Sequence, residues 1–283
     1  MKILVLGATG MAGHVISLYL KEKGYDIHAF SRTPFKYCKN IVGNVFDTEN
    51  FKQILVKGKY DIVINCIGIL NKSSEENPSA AVYLNSYLPH FIVDTLKDTS
   101  SKLIHMSTDC VFAGNTGPYF EHSFKDGSTF YDRTKALGEV DDDKNLTFRN
   151  SIVGPDMHEH GIGLFNWFMK QKSGIKGFNY AIWTGVTTLT LVKAMEKSIA
   201  ENLTGIYNLV NNENISKFNL LSLFNQYFRN NTIDITPDTD FKLDKTLKNS
   251  RQDFSFIVPS YEQMIIEMKE WVYTHKVLYP HYI

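Results

Sequence analysis

The order of apolar and polar positions divides the first half of the chain into alternating strand-like and helix-like segments. Lys2–Leu6 is typical of a buried strand, and Asp61–Cys66 contains a continuous apolar run, as expected of a parallel strand covered on both faces. The predicted strands are Lys2–Leu6, Asp26–Phe30, Ile41–Val45, Asp61–Cys66, Lys102–Met106 and Thr147–Ser151; the predicted helices are Met11–Lys23, one from Thr48 capped by Asp47 or Thr48, a long one from Pro78, and one containing Tyr131–Val140. We interpret the polar stretch Asn71–Asn77 as a loop. Repeated units of this kind predict an α/β fold with a doubly wound parallel sheet.

The pattern changes near Gly154, where helices begin to outnumber strands. Helical patterns lie at Leu164–Lys170, Thr188–Glu201, Lys217–Phe228 and Tyr261–His275, with short strands such as Gly205–Val210 between them. We therefore predict one domain over residues 1–153, to which some later segments return, and a smaller mixed lobe over residues 154–283. Such a lobe would lie over the carboxyl edge of the sheet, where α/β folds bind their ligands.

Composition excludes several classes of protein. The 283 residues are enough for one large α/β domain with a smaller appendage, and 30 basic residues balance 30 acidic ones, so charge indicates no nucleic acid and no membrane partner. The three cysteines show neither a CxxC pair nor a ligand-like spacing to histidine, so we expect no metal, no disulfide framework and a reducing, cytoplasmic location. No apolar stretch approaches the roughly 18 residues of a membrane span.

A glycine triplet joins the first strand to the first helix. Gly7, Gly10 and Gly13 form a GxxGxxG pattern, a variant of the commoner GxGxxG fingerprint. A strand that turns at once into a helix places bare backbone amides at a helix N-terminus, where a pyrophosphate is favoured by the helix dipole. The triplet therefore predicts that residues 1–153 form a dinucleotide-binding domain and that the later lobe binds substrate.

Tyr131 and Lys135 form a YxxxK pair, which places both side chains on one face of a helix. An ammonium beside a phenol favours the phenolate, so we expect Lys135 to lower the pKa of Tyr131 and to make it a proton donor or acceptor. Position matters, because Tyr19 and Lys23 repeat the spacing on the first helix and are assigned to structure. Thr108 ends the strand that precedes the Tyr131 helix. Its hydroxyl can therefore hydrogen-bond the substrate oxygen with which Tyr131 would exchange a proton.

A series of motifs occurs in one order over nearly the whole chain. They are GATGMAG at Gly7–Gly13, Asn65–Gly68, Asn85, STDCVF at Ser107–Phe112, YDRTK at Tyr131–Lys135, Arg149–Ser151 and Gly185–Thr188. With these motifs in this order, the chain resembles the extended short-chain dehydrogenase/reductases, and among them most the dTDP-4-dehydrorhamnose reductase family. The resemblance implies a Rossmann sheet with a smaller C-terminal lobe.

The resemblance also implies which residues act. Thr108, Tyr131 and Lys135 would be the catalytic trio of a reductase that delivers a hydride to C4 of a nucleotide-linked 4-keto-6-deoxyhexose, either dTDP-4-dehydrorhamnose or a UDP-2-acetamido analogue, for surface polysaccharide. The implied cofactor contacts are Gly7, Thr9, Gly10, Met11, Gly13, Ser31, Arg32, Asn44, Val45, Cys66, Ile67, Gly68, Asn85, Tyr131 and Lys135.

Two residues at the end of the second strand bear on the choice of cofactor. An acidic residue there would accept from a ribose 2′-hydroxyl and repel a 2′-phosphate. This chain has Ser31 and Arg32 instead, a hydroxyl donor and a guanidinium that can bind phosphate through two hydrogen bonds. We therefore predict NADPH in preference to NADH.

Cys110 departs from the family pattern. Sugar-nucleotide 4,6-dehydratases carry glutamate at this position, and its loss here argues against dehydration; rhamnose reductases usually carry tyrosine. Cys110 matches by position the cysteine that GDP-fucose synthases use for epimerisation, and His158 or His160 could be the partner acid. A bifunctional epimerase/reductase therefore stays open. So does a non-catalytic NADP-binding regulatory subunit, because the regulatory β subunit of methionine adenosyltransferase resembles the same family.

The substrate lobe offers fewer signals. The candidate contacts for the sugar nucleotide are Cys110, His160, Lys176, Trp183 and Arg251. Trp183 would replace a tryptophan that rhamnose reductases place where this chain has Ile152, and the basic residues could bind a diphosphate. We expect a sugar nucleotide as the substrate partner, no nucleic acid and no membrane, and leave a homodimer open.

Overall fold

The computed structural model describes residues 1–283. In chain order the strands are β1 (Lys2–Leu6), β2 (Asp26–Ser31), β3 (Lys39–Val42), β4 (Ile62–Asn65), β5 (Lys102–Met106), β6 (Leu146–Arg149), β7 (Ile152–Val153), β8 (Ile175–Trp183), β9 (Val186–Thr187), β10 (Gly205–Asn208), β11 (Ile215–Ser216) and β12 (Ile235–Asp244). The helices are α1 (Met11–Glu22), α2 (Thr48–Gly58), α3 (Asn71–Glu76), α4 (Pro78–Ala81), α5 (Leu88–Leu96), α6 (Phe130–Leu137), α7 (Leu164–Met169), α8 (Thr188–Ala200), α9 (Lys217–Arg229) and α10 (Tyr261–Thr274). A π-helical turn, Val82–Tyr87, joins α4 to α5.

Seven parallel strands form the main sheet in the order β10-β6-β5-β4-β1-β2-β3. The chain begins in the interior with β1, adds β2 and β3 on one side, and then crosses to β4 and continues outward on the other. Strand order therefore reverses between β1 and β4, which is where sheets of this kind bind ligands outside their carboxyl ends. The predicted fold class, a doubly wound parallel sheet with a smaller mixed lobe, is confirmed.

The main sheet is covered on both faces because its strands are apolar at successive positions. In β1 the side chains of Ile3 and Val5 join a large core beneath α1, α8 and α10, while those of Leu4 and Leu6 join a second core beneath α2 and α5. All four side chains are fully buried. The continuous apolar run in β1 thus corresponds to a strand between two helical layers.

The second half of the chain is divided between the main sheet and a lobe. The segment predicted as a strand at Gly205–Val210 forms β10, which pairs with β6 at the edge of the main sheet and does not lie in the lobe. The lobe contains β8 between β11 and β12, with α9 beside them, and β7 pairs with β9 separately. None of the helices combines the length and apolar character needed to cross a bilayer.

Two local predictions were wrong. The stretch predicted as a loop, Asn71–Asn77, forms α3, in which Lys72 pairs with Glu76 one turn later at 3.4 Å. The helix that begins at Phe130 ends at Leu137 and not at Val140. At Gly138 a side chain would meet the Asn85 carbonyl oxygen, 1.8 Å from the position of a Cβ, so the chain passes close to its neighbour there.

Candidate active site

The glycine turn between β1 and α1 has the close packing that a nucleotide site needs. Gly7 has a φ of +79°, a conformation that favours glycine, and a Cβ at Gly13 would lie 2.1 Å from the Gly7 carbonyl oxygen. Gly10 caps α1 with no side chain bonded over the helix end, and the first turn holds no acidic residue. The α1 N-terminus is therefore free of a competing carboxylate, which fits an anion such as a pyrophosphate.

The loop after β4 lies against this turn. A Cβ built on Gly7 would be 3.2 Å from Ile67 Cγ1 and 3.3 Å from the Cys66 carbonyl oxygen. Asn85, buried in the π-helical turn, holds the loop: its Oδ1 accepts from the Ile69 N–H at 2.9 Å, and its Nδ2 donates to the Ile69 carbonyl at 3.0 Å and to Thr134 Oγ1 at 3.1 Å. Both the oxygen and the nitrogen of the Asn85 side-chain amide are thus hydrogen-bonded to protein groups. This indicates that Asn85 positions the loop.

Thr108 and Tyr131 meet at the carboxyl end of β5. The Thr108 hydroxyl donates to Asp109 Oδ1 at 3.1 Å and accepts from the Cys110 N–H at 3.2 Å. Tyr131 is the second residue of α6, whose start is fixed by a reciprocal cap between Thr129 and Asp132. Burial raises the pKa of the Tyr131 hydroxyl and the nearby Cys110 adds to the shift, while the hydrogen bond of Thr108 opposes it.

Lys135 lies beneath this pair, one helical turn after Tyr131. Its ammonium donates to the Met106 carbonyl oxygen at 2.7 Å, and burial lowers its pKa to about 8, against the opposing charges of Glu139 and Cys66. The prediction that Lys135 lowers the pKa of Tyr131 is therefore contradicted. Burial of the phenol raises its pKa, and the Lys135 ammonium, which is bonded to the end of β5, is not among the groups that shift it.

Cys110 faces the same cleft as a neutral thiol. Burial raises its pKa to about 12, the Asp109 carboxyl adds to the shift, and Lys245 opposes it. Asp109 is half-buried; desolvation of its carboxyl raises its pKa, and the charges of Lys245 and Lys217 act against that shift. Both lysines belong to the lobe: Lys217 begins α9, and Lys245 follows β12 with its Nζ 3.8 Å from Asp132 Oδ2.

Sequence reasoning did not find these two lysines. They lie 108 and 136 residues after Asp109 and have no motif around them, so only the folded lobe brings them to the cleft. It also did not find the buried pair of Glu139 and Arg149, although Arg149 was noted as part of a motif. The one signal available for Arg149 was a charged residue at the end of the short strand β6.

The residues chosen for cofactor specificity flank the end of β2. Arg32 is exposed, whereas the Ser31 hydroxyl donates to the Thr33 carbonyl oxygen at 2.7 Å, so its proton is used locally and the expected hydroxyl donor is not free. Asn44 and Val45 follow β3, and the Val45 carbonyl accepts from the Tyr83 hydroxyl at 2.7 Å.

Several predicted substrate contacts are not brought to the Thr108–Tyr131 cleft. Trp183 is buried in the main core, 5.8 Å from the Tyr261 ring between centroids. Arg251 is bound to Asp253 and to the carbonyls of Thr204 and Ile206 at the amino end of β10.

The other candidates lie at the periphery of the lobe. Lys176 is exposed at the start of β8, where it pairs with Thr236 of β12. His158 and His160 are exposed in the loop before Gly163, which lies beside Met11: a Cβ at Gly163 would be 3.1 Å from Met11 Sδ. This loop therefore reaches the start of α1.

The strand order and the glycine turn define the chain as a protein with a Rossmann-type dinucleotide-binding fold. Residues 1–251 match the sequence profile of the family described as RmlD substrate binding domain. The chain belongs to this family, which confirms the resemblance predicted from the motifs.

Individual proteins with similar sequences are named mostly as reductases or as proteins of polysaccharide biosynthesis. A Haloferax volcanii protein named "Probable low-salt glycan biosynthesis reductase Agl14" is 31% identical over 143 residues, which is 49% of this chain and 48% of that protein. Salmonella typhimurium dTDP-4-dehydrorhamnose reductase is 26% identical over 74% of this chain and 72% of its own. The alignments with the first curated relatives thus span about half of their length.

Solved structures give the fold. The crystal structure of dTDP-4-dehydrorhamnose reductase from Bacillus anthracis in complex with NADP superposes with a TM-score of 0.79 at 19% identity, covering 94% of this chain and 98% of that one. A hypothetical dTDP-4-dehydrorhamnose reductase from Sulfolobus tokodaii gives 0.76 at 21% identity, covering 93% and 98%. Likeness at this level of identity establishes the shared architecture.

Proposed function

We propose that the chain is an NADPH-dependent reductase of a nucleotide-linked 4-keto-6-deoxyhexose, with Thr108, Tyr131 and Lys135 as its catalytic residues. The observation that carries the proposal is the meeting of Thr108 and Tyr131 above Lys135 at the end of β5. The glycine turn of α1 lies at the same edge of the sheet, two strands away. The relatives named as reductases of sugar nucleotides support the same reaction.

The residues present fit a dinucleotide. The α1 N-terminus beside Gly7–Gly13 would hold its pyrophosphate, the loop Cys66–Gly68 would lie along its ribose, and Arg32 would bind a 2′-phosphate. The dihydronicotinamide, when bound, supplies the hydride for the substrate carbon. Lys135 would hold the adjoining ribose hydroxyls while its bond to Met106 fixes its direction.

The proton comes from this chain. Because burial raises the pKa of Tyr131, its hydroxyl carries a proton at neutral pH and can donate it to the C4 oxygen of the substrate. Thr108 would bond the same oxygen and orient it. Lys217 and Lys245 place positive charge on the lobe side of the cleft, which suits a substrate that carries a diphosphate.

Two other functions receive less support. An epimerase role needs Cys110 as a thiolate, whereas its pKa is raised to about 12 and the exposed histidines lie toward α1. A purely regulatory NADP-binding subunit has no need of a proton donor, yet Thr108, Tyr131 and Lys135 are all present.

The decisive experiment mixes the protein with NADPH and a panel of freshly made 4-keto-6-deoxy sugar nucleotides while absorbance at 340 nm is followed. Replacing Tyr131 with Phe should lower kcat roughly 100-fold to 10,000-fold with little change in the Kd for NADPH. Tyr19→Phe, in the other YxxxK pair, is the matched control and should keep activity. NADPH binding without turnover of any panel member would instead support the regulatory subunit.

Cofactor preference is measured separately. Replacing Arg32 with Glu should raise the Kd for NADPH about tenfold or more through lost pairing and added repulsion, and leave that for NADH within about threefold. Equal effects on both dinucleotides would contradict a 2′-phosphate contact at Arg32.

A further inference from the structure

A second cavity lies in the lobe, away from the cleft described above. It has a volume of about 380 Å³ and sits between the end of α7, the end of α9 and the short C-terminal turn at Pro280–Tyr282. Its walls carry Lys170, Lys172, Arg229 and His281. The volume is within the range of small-molecule sites.

The charge of this cavity is unbalanced. None of the three cationic side chains, those of Lys170, Lys172 and Arg229, forms an ion pair. Arg229 donates from Nη1 to the Met169 carbonyl oxygen at 2.9 Å. Glu159 is the one acidic residue in the wall. Three cations thus face one cavity in a chain whose net charge is zero. Like charges held together repel, so this arrangement suits an anion.

His281 also lines the cavity. Its ring Nε2 has no hydrogen-bond partner and is shielded from water, so an occupant of the cavity reaches this atom only if the imidazole turns toward it. The three cations are therefore what favours an anion here.

The cavity is separate from the proposed active site. Arg229 is the last residue of α9, whereas Lys217, whose charge reaches Asp109 in the cleft, is the first. A helix of this length places its ends roughly 18 Å apart. An occupant of the cavity therefore cannot be the part of a substrate that reacts at Tyr131.

We propose that this cavity is a second anion site, which binds a small molecule carrying a phosphate or diphosphate group. Arg229 and the two lysines supply the charge, and a guanidinium together with ammonium groups is the donor set that phosphate oxygens favour. His281 and Tyr282 form the opposite wall. The proposal does not depend on the reaction carried out at Tyr131.

The test uses the full chain and isothermal titration with inorganic pyrophosphate, with inorganic phosphate and glucose 1-phosphate in parallel. Pyrophosphate can also bind at the α1 N-terminus. The binding that is lost in the double variant Lys170→Gln/Lys172→Gln is therefore the part that occurs in the cavity. These exposed lysines have no partners, so the variant should fold normally. Lys52→Gln, an exposed lysine on α2, is the control.

We expect the wild type and the control to bind one pyrophosphate more than the double variant, or to bind it at least about tenfold more tightly, with weakening at high salt. Binding of inorganic phosphate more tightly than pyrophosphate would identify the free ion as the ligand. Binding of glucose 1-phosphate more tightly than either would identify an organic phosphate. Unchanged binding by the double variant, an equal loss in the Lys52→Gln control, or no binding by the wild type at millimolar concentrations would each overturn the proposal.

Discussion

Glu139 and Arg149 form a fully buried ion pair with two hydrogen bonds, from Arg149 Nε to Oε1 at 2.8 Å and from Nη2 to Oε2 at 2.7 Å. Glu139 Oε1 also accepts from the Ser107 hydroxyl at 2.6 Å. Burial alone would raise the pKa of Glu139, but the bonds and charge of Arg149, together with the Ser107 hydroxyl and the charge of Lys125, hold that pKa below its usual value. The pair therefore ties the end of α6 and β6 to the residue just before Thr108.

Breaking this pair should destabilise the protein strongly. Arg149→Met would leave the buried Glu139 carboxylate with Lys125, 3.2 Å from its Oε2, as its remaining charged partner. Removing one partner of a buried ion pair typically costs about 3–5 kcal/mol of unfolding free energy, and the half-buried Lys125 should keep this loss toward the lower end. Urea denaturation measures this loss. Adding Glu139→Gln to Arg149→Met should restore part of the stability, because the orphaned charge is then gone. Arg133→Met, at an exposed position on α6, is the control; a loss from Arg149→Met no larger than that of this control would refute the argument.

The sequence was most informative where local pattern decides structure. The apolar run of β1 and the glycines after it predict the central strand, the turn and α1, because each depends on neighbouring residues alone. The YxxxK pair is a similar case, since its spacing places Tyr131 and Lys135 on one helix face. These parts of the fold and site could be predicted.

Features that depend on distant contacts could not be predicted in the same way. Lys245 reaches Asp132 only because β12 lies across the lobe, and β10 joins the main sheet through pairing with β6. The direction of the Tyr131 pKa depends on how deeply the phenol is buried, which spacing does not report. The hydrogen bond from Ser31 to Thr33 is local, but it depends on the rotamer of Ser31, which the sequence pattern does not specify.

Lys135 should make stability depend on pH. Its pKa falls from 10.5 to about 8 on folding because burial disfavours the charge. Between these values the unfolded chain holds more protons than the native protein, so stability rises with pH in this window. From about pH 7.5 to 9.5 the unfolding free energy of the wild type should rise by about 2 kcal/mol relative to that of Lys135→Met.

Urea denaturation at both pH values gives this difference. Lys102 has a lowered pKa as well, but its contribution is shared by both proteins and cancels. Lys52→Met, which removes an exposed lysine, should follow the wild type at both pH values. Parallel curves for the wild type and Lys135→Met would show that the ammonium is not penalised by burial.

Cys110 should be dispensable for turnover. A thiol with a pKa of about 12 is almost entirely protonated at neutral pH, so it cannot remove a proton beside the substrate carbonyl. Cys110→Ser should keep kcat within about threefold, whereas Thr108→Val should lower it about tenfold or more. Product made in D2O should carry no deuterium beside the reduced carbon. Deuterium there, lost in Cys110→Ser, would establish the epimerase instead.

Tyr279 should stabilise the start of α1 from the far end of the chain. The Trp271 indole N–H donates to its hydroxyl at 3.0 Å, and that hydroxyl lies 2.7 Å from His14 Nε2. The Gly10 carbonyl, 2.9 Å from His14 Nδ1, can only accept, so Nδ1 carries the proton and Nε2 accepts from Tyr279. Each hydrogen bond in the chain from Trp271 through Tyr279 and His14 to Gly10 therefore has a fixed donor and acceptor. Burial lowers the pKa of His14 to about 4, so its ring is neutral.

Removing the hydroxyl leaves two buried groups without partners. Tyr279→Phe should cost about 2–4 kcal/mol of unfolding free energy, since each unpartnered group costs about 1–3 kcal/mol. It should also speed amide hydrogen exchange at residues 11–14, because His14 would no longer be held against Gly10. Tyr273→Phe, at an exposed position on α10, controls for loss of a phenol and should change neither quantity. If exchange in this segment rose equally in both variants, the hydrogen-bonded chain would not be what holds the helix start in place.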